Sequence, residues 1–189
     1  MNLIYKKLTP ALCEEYISYF DNVAFSDHEE WAGCYCLESH LADEAQITNR
    51  EDRRKKAEEL IRSGILQGYL IYEGTHIVGW CNCNDKMNYS PIAENKEYQT
   101  DINESGKIKV LYCMDIAPAY RGRGLAHQTL DKVCEDAKSD GYLCIEAYPL
   151  LTKQDPYPYK GPISLYEAHG FTMYQQNSNS GFCIMRKIL

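Results

Sequence analysis

The segment from Ile108 to Tyr148 constrains the fold most. Ile108 to Ala117 is a nearly continuous apolar run stopped by Pro118, the pattern of a central strand covered on both faces. Arg121-Gly122-Arg123-Gly124-Leu125-Ala126 follows and feeds a helical segment to Lys138, with Ala126, Leu130, Val133, Cys134 and Ala137 on its apolar face and Gly141 closing it. Tyr142 to Tyr148 is a second apolar run. Strand, helix and strand in succession require a right-handed crossover and a parallel strand pair. A chain of 189 residues built around this unit is expected to form one α/β domain, residues 1–189, with a mixed sheet.

The flanking segments add elements. Leu3 to Lys7 reads as a strand, and Thr9-Pro10 as the N-cap and first position of a helix with Leu12, Tyr16, Ile17 and Phe20 on one face, ending near Asp21. Phe25 to His40 holds Ser26-x-x-Glu29, a capping-box pattern, and then Cys34-Tyr35-Cys36-Leu37, which together predict a short helix followed by a short strand. Asn49 caps a helix running to Ser63, with Ala57, Leu60 and Ile61 facing inward and Gly64 ending it. Gly68 to Tyr72 and His76 to Cys83, joined by Glu73-Gly74-Thr75, predict an antiparallel hairpin. Asn84 to Lys107 is a long polar connection of the kind that is more often functional or mobile. A Pro- and Tyr-rich loop, Pro149 to Pro162, leads to a short helix, Ile163 to His169, and two last strands, Phe171 to Tyr174 and Phe182 to Lys187.

Composition narrows the class of partner. Lys and Arg number 20 against 27 Asp and Glu, a net charge of -7 that repels phosphate backbones and argues against nucleic acid. No stretch approaches the ~20 apolar residues of a membrane span, and the first nine residues lack the pattern of a signal peptide, so a cytoplasmic location is expected and no membrane association. The nine Cys, an odd number within or beside apolar runs, read as reduced thiols acting as small hydrophobes. Cys34-x-Cys36 and Cys81-x-Cys83 carry the wrong spacing for chelation from a strand, and no metal is expected. Arg53, Arg54, Lys55 and Lys56 lie among acidic neighbours and read as a solvated helix face.

The chemistry concentrates at the glycine-rich turn. Glycines let the backbone curl so that the first free amides of a helix, with the positive helix end behind them, point at one spot suited to phosphate. Purely structural turns between strand and helix use glycine as well. No Gly-Lys-Ser/Thr follows, so this is not a P-loop, and the spacing is not that of a dinucleotide fingerprint.

Arg121, Gly124 and Ala126 fit Arg/Gln-x-x-Gly-x-Gly/Ala, and with Met114 to Tyr120 before them the segment closely resembles the acyl-CoA site of the GNAT superfamily of N-acetyltransferases. Ser164-Leu165-Tyr166-Glu167-Ala168-His169-Gly170-Phe171 resembles that family's helix-to-strand segment. Trp31 to Cys36, Gly79 to Asn82 and Glu146 to Pro149 are similar to a poorly characterised bacterial branch. The resemblance implies a mostly antiparallel central sheet with a splayed parallel pair, flanked by helices, and acetyl-CoA as cosubstrate. Backbone amides of Arg121, Gly122, Arg123, Gly124, Leu125 and Ala126 would hold the pyrophosphate, and main-chain groups of Met114 and Ile116 the pantetheine arm. Tyr166 would face the sulfur as the acid, a phenol of reference pKa about 10 that stays protonated at neutral pH. A main-chain amide near Met114 to Ile116 would stabilise the oxyanion.

Two acidic residues inside apolar strands, Glu146 and Asp115, are candidates for the base, Glu146 preferred, because burial raises a carboxyl toward a useful range; salt bridging is the competing role for either. Where relatives have Asn and Ala before the Tyr, this chain has Tyr159 and Pro162; Tyr157, Tyr159 and Lys160 are candidates for the pocket mouth. The inserts Phe25 to Ala45 and Asn84 to Lys107 would shape the pocket, with Tyr89 and Tyr98 as aromatic candidates. The implied activity is direct acetyl transfer to a primary amine of a small molecule or peptide in a ternary complex. A catalytically silent CoA-binding regulatory module is the alternative. Edge strands leave room for a homodimer.

Overall fold

The computed structural model describes residues 2–41, 47–101, 107–152 and 159–189. Its elements run β1 (Leu3–Lys7), α1 (Cys13–Asn22), α2 (Arg50–Arg62), β2 (Gly68–Glu73), β3 (His76–Asp85), α3 (Ser90–Ala93), β4 (Ile108–Ile116), α4 (Leu125–Ser139), β5 (Cys144–Ala147), α5 (Ile163–Ala168), β6 (Thr172–Asn177) and β7 (Phe182–Ile188). The strands form one seven-stranded sheet in the order β1-β2-β3-β4-β5-β7-β6. All neighbours are antiparallel except β4 and β5, the parallel pair joined through α4.

Strand alternation sends side chains to two covered faces. On one face α1 and α2 bury Tyr16, Ile17, Phe20, Ala57 and Ile61 against Leu70, Trp80, Val110 and Tyr112. On the other, Leu130, Val133 and Ala137 of α4 and Leu165 and Tyr166 of α5 pack on Cys81, Leu111, Met114, Ile145 and Met185.

The parallel pairing is short. Ile108 to Leu111 pair with Cys144 to Ala147, and there it stops, although β4 continues to Ile116. The register between β3 and β4 slips at the same place: Asn82 faces Cys113 and Cys83 faces Leu111, which leaves Tyr112 as the extra residue of a bulge. A bulge bends its strand and re-aims its side chains. From Tyr112 onward β4 therefore has no strand partner on its β5 side, and this break in the sheet is the gap beside Met114 that the segment at Tyr159 fills.

Several local expectations need correction. Thr9 makes no capping bond; Pro10 starts a 3-10 turn, and α1 begins only at Cys13. The predicted helix and strand after Phe25 are a 3-10 turn at Glu29–Trp31 and a run of turns in which Tyr35 and Cys36 have positive φ, 44° and 52°, which extended backbone excludes. The Ser26-x-x-Glu29 pattern caps no α-helix. Tertiary bonds set this conformation: Tyr16 Oη donates to Tyr35 O (2.9 Å), and Arg53 donates to Gly33 O (2.6 Å) and Cys34 O (3.1 Å). The basic run of α2 is thus more than a solvated face at Arg53 and at Arg54, which pairs with Asp21 alongside Arg50 from outside the run, while Lys55 and Lys56 make surface pairs with Glu51 and Glu59. Asn49 caps α2 as expected, accepting from the Asp52 amide at 2.8 Å. The polar connection after Asn84 folds into 3-10 turns at Lys86–Asn88 and Lys96–Tyr98 around α3, the two turns capped by Asp85 and Asn95; residues 102–106 lie outside the described residues.

Candidate active site

The turn between β4 and α4 bends through Gly122 (φ 72°) and Gly124 (φ 78°), a conformation that L side chains avoid, and a Cβ on either would meet no atom within 4 Å. The space in front of the turn is open. Gly124 is the N-cap of α4 and contributes no side-chain cap, so the first-turn amides from Leu125 and Ala126 onward face that space with the positive end of a 15-residue helix behind them. Arg121 folds back: Nε donates to Ile116 O (2.9 Å) and Nη1 to Asp27 Oδ2 (2.5 Å). Arg123 is exposed and lies 5.2 Å from the Tyr120 ring centre. Backbone amides and Arg123 fit a diphosphate here; Arg121 fixes the turn against β4 and the segment before Trp31.

Residues two apart on a strand direct their main-chain groups the same way, so Met114 and Ile116 both present theirs to the gap. The Met114 amide donates to Tyr159 O at 2.8 Å. Tyr166, wholly buried at the end of α5, donates its hydroxyl to the next carbonyl, Lys160 O, at 2.5 Å. One short piece of chain between β5 and α5 therefore satisfies both donors. Gly161 makes the approach possible: it has φ 75°, and a Cβ there would stand 3.0 Å from the Tyr166 hydroxyl. Burial pushes the Tyr166 phenol well above its ordinary range, so it stays protonated. Tyr157, Pro156 and Pro158 of the same loop lie outside the described residues.

Asp115 points to the opposite face, toward α1, where Tyr19 Oη donates to its Oδ2 at 2.5 Å. Burial pushes the Asp115 carboxyl up to about 7; the Tyr19 hydrogen bond and the Arg121 charge pull it down, and Asp27 adds to the rise.

Glu146 sits in a closed ion cluster instead of a cleft. Its Oε1 accepts from Thr100 (3.0 Å) and from Nη2 and Nε of Arg186 (2.9 and 3.3 Å), and its Oε2 accepts from Lys86 (2.9 Å) and Tyr148 (3.0 Å). Arg186 is its direct cross-strand neighbour on β7, and Lys86 reaches in from the turn after β3. A carboxylate offers about four lone-pair sites, and these donors exhaust them. Glu146 thereby locks the polar connection and β7 onto β5.

The expected pocket residues fall in different surroundings. Tyr159 and Lys160 border the gap. Tyr89 is wholly buried, bonded to Asn82 (2.8 Å) and packed on His40, and Tyr98 packs on Tyr148 and Phe182. Sequence reasoning missed Tyr19, Asp27, Glu38, Lys86 and Arg186. Only Tyr19 carried a signal, since it follows Tyr16 by three on a helical face. The others reach the site from elements distant in sequence.

A glycine turn opening a helix, a parallel strand pair that ends early and a buried phenol near that break are the features that the sequence resemblance implies for an acyl-CoA-dependent N-acyltransferase. A model of the acetyltransferase (GNAT) family matches residues 25–171, and the chain belongs to that family. No curated protein matches the chain significantly. Among solved structures, an acetyltransferase of the GNAT family from Listeria monocytogenes aligns at TM-score 0.61 and 14% identity, covering 99% of this chain and 95% of that one. Salmonella typhimurium yncA, solved with its cofactor acetyl-CoA, aligns at 0.56 and 13%, covering 99% and 94%. The Drosophila melanogaster polyamine N-acetyltransferase aligns at 0.59 and 10% over 100% of both chains. At these identities the likeness is one of fold.

Proposed function

We propose that the chain, acting as one domain, moves an acetyl group from acetyl-CoA directly to a primary amine within a ternary complex. The observation that carries this reading is the convergence of the Met114 N–H and the Tyr166 O–H on carbonyl oxygens of two consecutive residues, Tyr159 and Lys160. A thioester lying along the edge of β4, in place of that segment, puts its oxygen on the Met114 amide and its sulfur beside the phenol. The amides of Arg121 to Ala126 hold the pyrophosphate, and Ile116 holds the pantetheine arm.

Asp115, and not Glu146, takes the part of the base. It removes a proton from the incoming ammonium, leaving a neutral nitrogen whose lone pair forms the C–N bond. The Met114 amide stabilises the oxyanion that develops. As that intermediate collapses, the C–S bond breaks, Tyr166 donates its proton to the departing thiolate, and the nitrogen, positively charged since the attack, gives up its second proton to restore the phenol and leave a neutral amide. Glu146 keeps the cleft walls in register.

The test is thiol release from acetyl-CoA across a panel of primary amines, with Tyr166→Phe beside the unaltered protein. The expected result is amine-dependent release that falls at least tenfold in the variant with an unchanged KM for acetyl-CoA. Tight CoA binding with no release on any amine would instead make the chain a silent CoA-binding module.

A further inference from the structure

The segment that fills the gap carries a second piece of information in its side chain. Lys160 is buried, its side chain only 8% exposed, and its Nζ lies 3.8 Å from Glu38 Oε1 and 4.8 Å from the centre of the Tyr112 ring. Tyr159 contributes a second ring at 5.6 Å and donates its hydroxyl to Glu38 Oε2 at 3.1 Å. A carboxylate beside aromatic faces is a cage for an ammonium: Glu38, its side chain 48% exposed, supplies the opposite charge on the solvent side, and the rings supply quadrupoles on the inner side.

The Tyr159–Lys160 peptide bond is itself a substituted amide. Its carbonyl oxygen sits on the Met114 amide, where the acetyl oxygen is placed above, and its nitrogen bears a five-carbon chain, Cα to Cε, that ends in the caged ammonium. Acetyl oxygen, amide nitrogen, linear chain and terminal ammonium are the parts of a mono-acetylated α,ω-diamine in the same order. We propose that the acceptor is a linear α,ω-diamine or a polyamine arm with about five atoms between its nitrogens, the reacting amine at the thioester and the distal ammonium in the cage of Glu38 and Tyr112. This rests on the acetyl-transfer reading. The net charge of -7 adds attraction for a dication. Lys160 occupies the cage until acetyl-CoA displaces its segment from Met114.

The experiment compares acetylation of 1,5-diaminopentane, 1,3-diaminopropane and n-pentylamine, and measures binding of N-acetyl-1,5-diaminopentane without CoA by calorimetry. The expected kcat/KM for the five-carbon diamine exceeds that for pentylamine by at least tenfold, and Glu38→Gln removes this preference through KM for the diamine while changing that for pentylamine little. Lys160→Ala, or Lys160→Met should the first variant melt early, should bind the acetylated diamine about tenfold more tightly than the unaltered chain, and adding Glu38→Gln should reverse the gain. Equal use of diamine and monoamine, or equal binding by the single and double variants, overturns the cage. Diamine-independent turnover leaves acetyl transfer standing without the cage; tight binding of the acetylated diamine without turnover on any amine leaves the cage standing without acetyl transfer.

Discussion

The Tyr19 hydroxyl meets Asp115 at 2.5 Å across the interface of α1 and β4, so a helix nearly a hundred positions earlier moderates the acidity of a buried strand carboxyl. Burial raises the carboxyl to about 7, and the phenol restrains that rise. As a base Asp115 must be ionised, so kcat/KM should climb with pH and level off above about 7. Removing the donor removes the restraint: Tyr19→Phe should move the inflection upward, whereas an unmoved profile takes Asp115 out of proton transfer. The measurement is kcat/KM from pH 5.5 to 9.

The same raised acidity bears on stability. An unfolded Asp ionises near 3.9, so between about 4 and 7 the folded chain holds a proton that the unfolded chain has lost. Stability therefore falls as pH rises through that window. Asp115→Asn keeps an acceptor for Tyr19 without a buried charge. It should raise Tm relative to the unaltered chain at pH 8 and much less at pH 5, while lowering kcat at least a hundredfold. Thermal melts at the two pH values check the sign; a larger gain at pH 5 would refute the assignment.

How much of this was legible follows from the range of the contacts. The unit from β4 through α4 to β5 was readable because its signals are local: apolar runs, a glycine turn and a helical face within forty residues. The glycine turn before α4 and the short helix that carries Tyr166 were readable as elements for the same reason. The closure of Glu146 by Lys86 and Arg186 was not, because those cations reach it from β7 and a polar connection with no periodicity. Phe25 to His40 misled for a similar reason, since Arg53 and Tyr16 decide its backbone from outside. A carboxyl inside an apolar strand reads alike whether it is a base or an anchor; only the partners separate Asp115 from Glu146.

Glu146→Gln tests that separation. Breaking a buried ion cluster by removing one partner costs about 3–5 kcal/mol, because Lys86 and Arg186 stay buried with the charge of Glu146 gone, although Arg186 keeps its pair with Asp101. The variant should melt well below the unaltered chain, yet the fraction that folds should keep the pH dependence of kcat/KM. A profile that loses its acid limb would restore Glu146 as the base.

Gly124 separates cosubstrate binding from catalysis. Its φ of 78° costs a non-glycine residue roughly 1–2 kcal/mol, and a Cβ there meets no protein atom, so it projects into the open space that the pyrophosphate is proposed to fill. Gly124→Ala should therefore lose only a modest part of its stability but bind CoA at least tenfold more weakly. Its KM for acetyl-CoA should rise, while kcat at saturation stays within about twofold, since Met114, Asp115 and Tyr166 are untouched. Calorimetric titration with CoA reads the first effect and steady-state kinetics the second. CoA affinity equal to that of the unaltered chain would move the diphosphate away from the α4 turn, and with it the thioester away from Met114 and Tyr166.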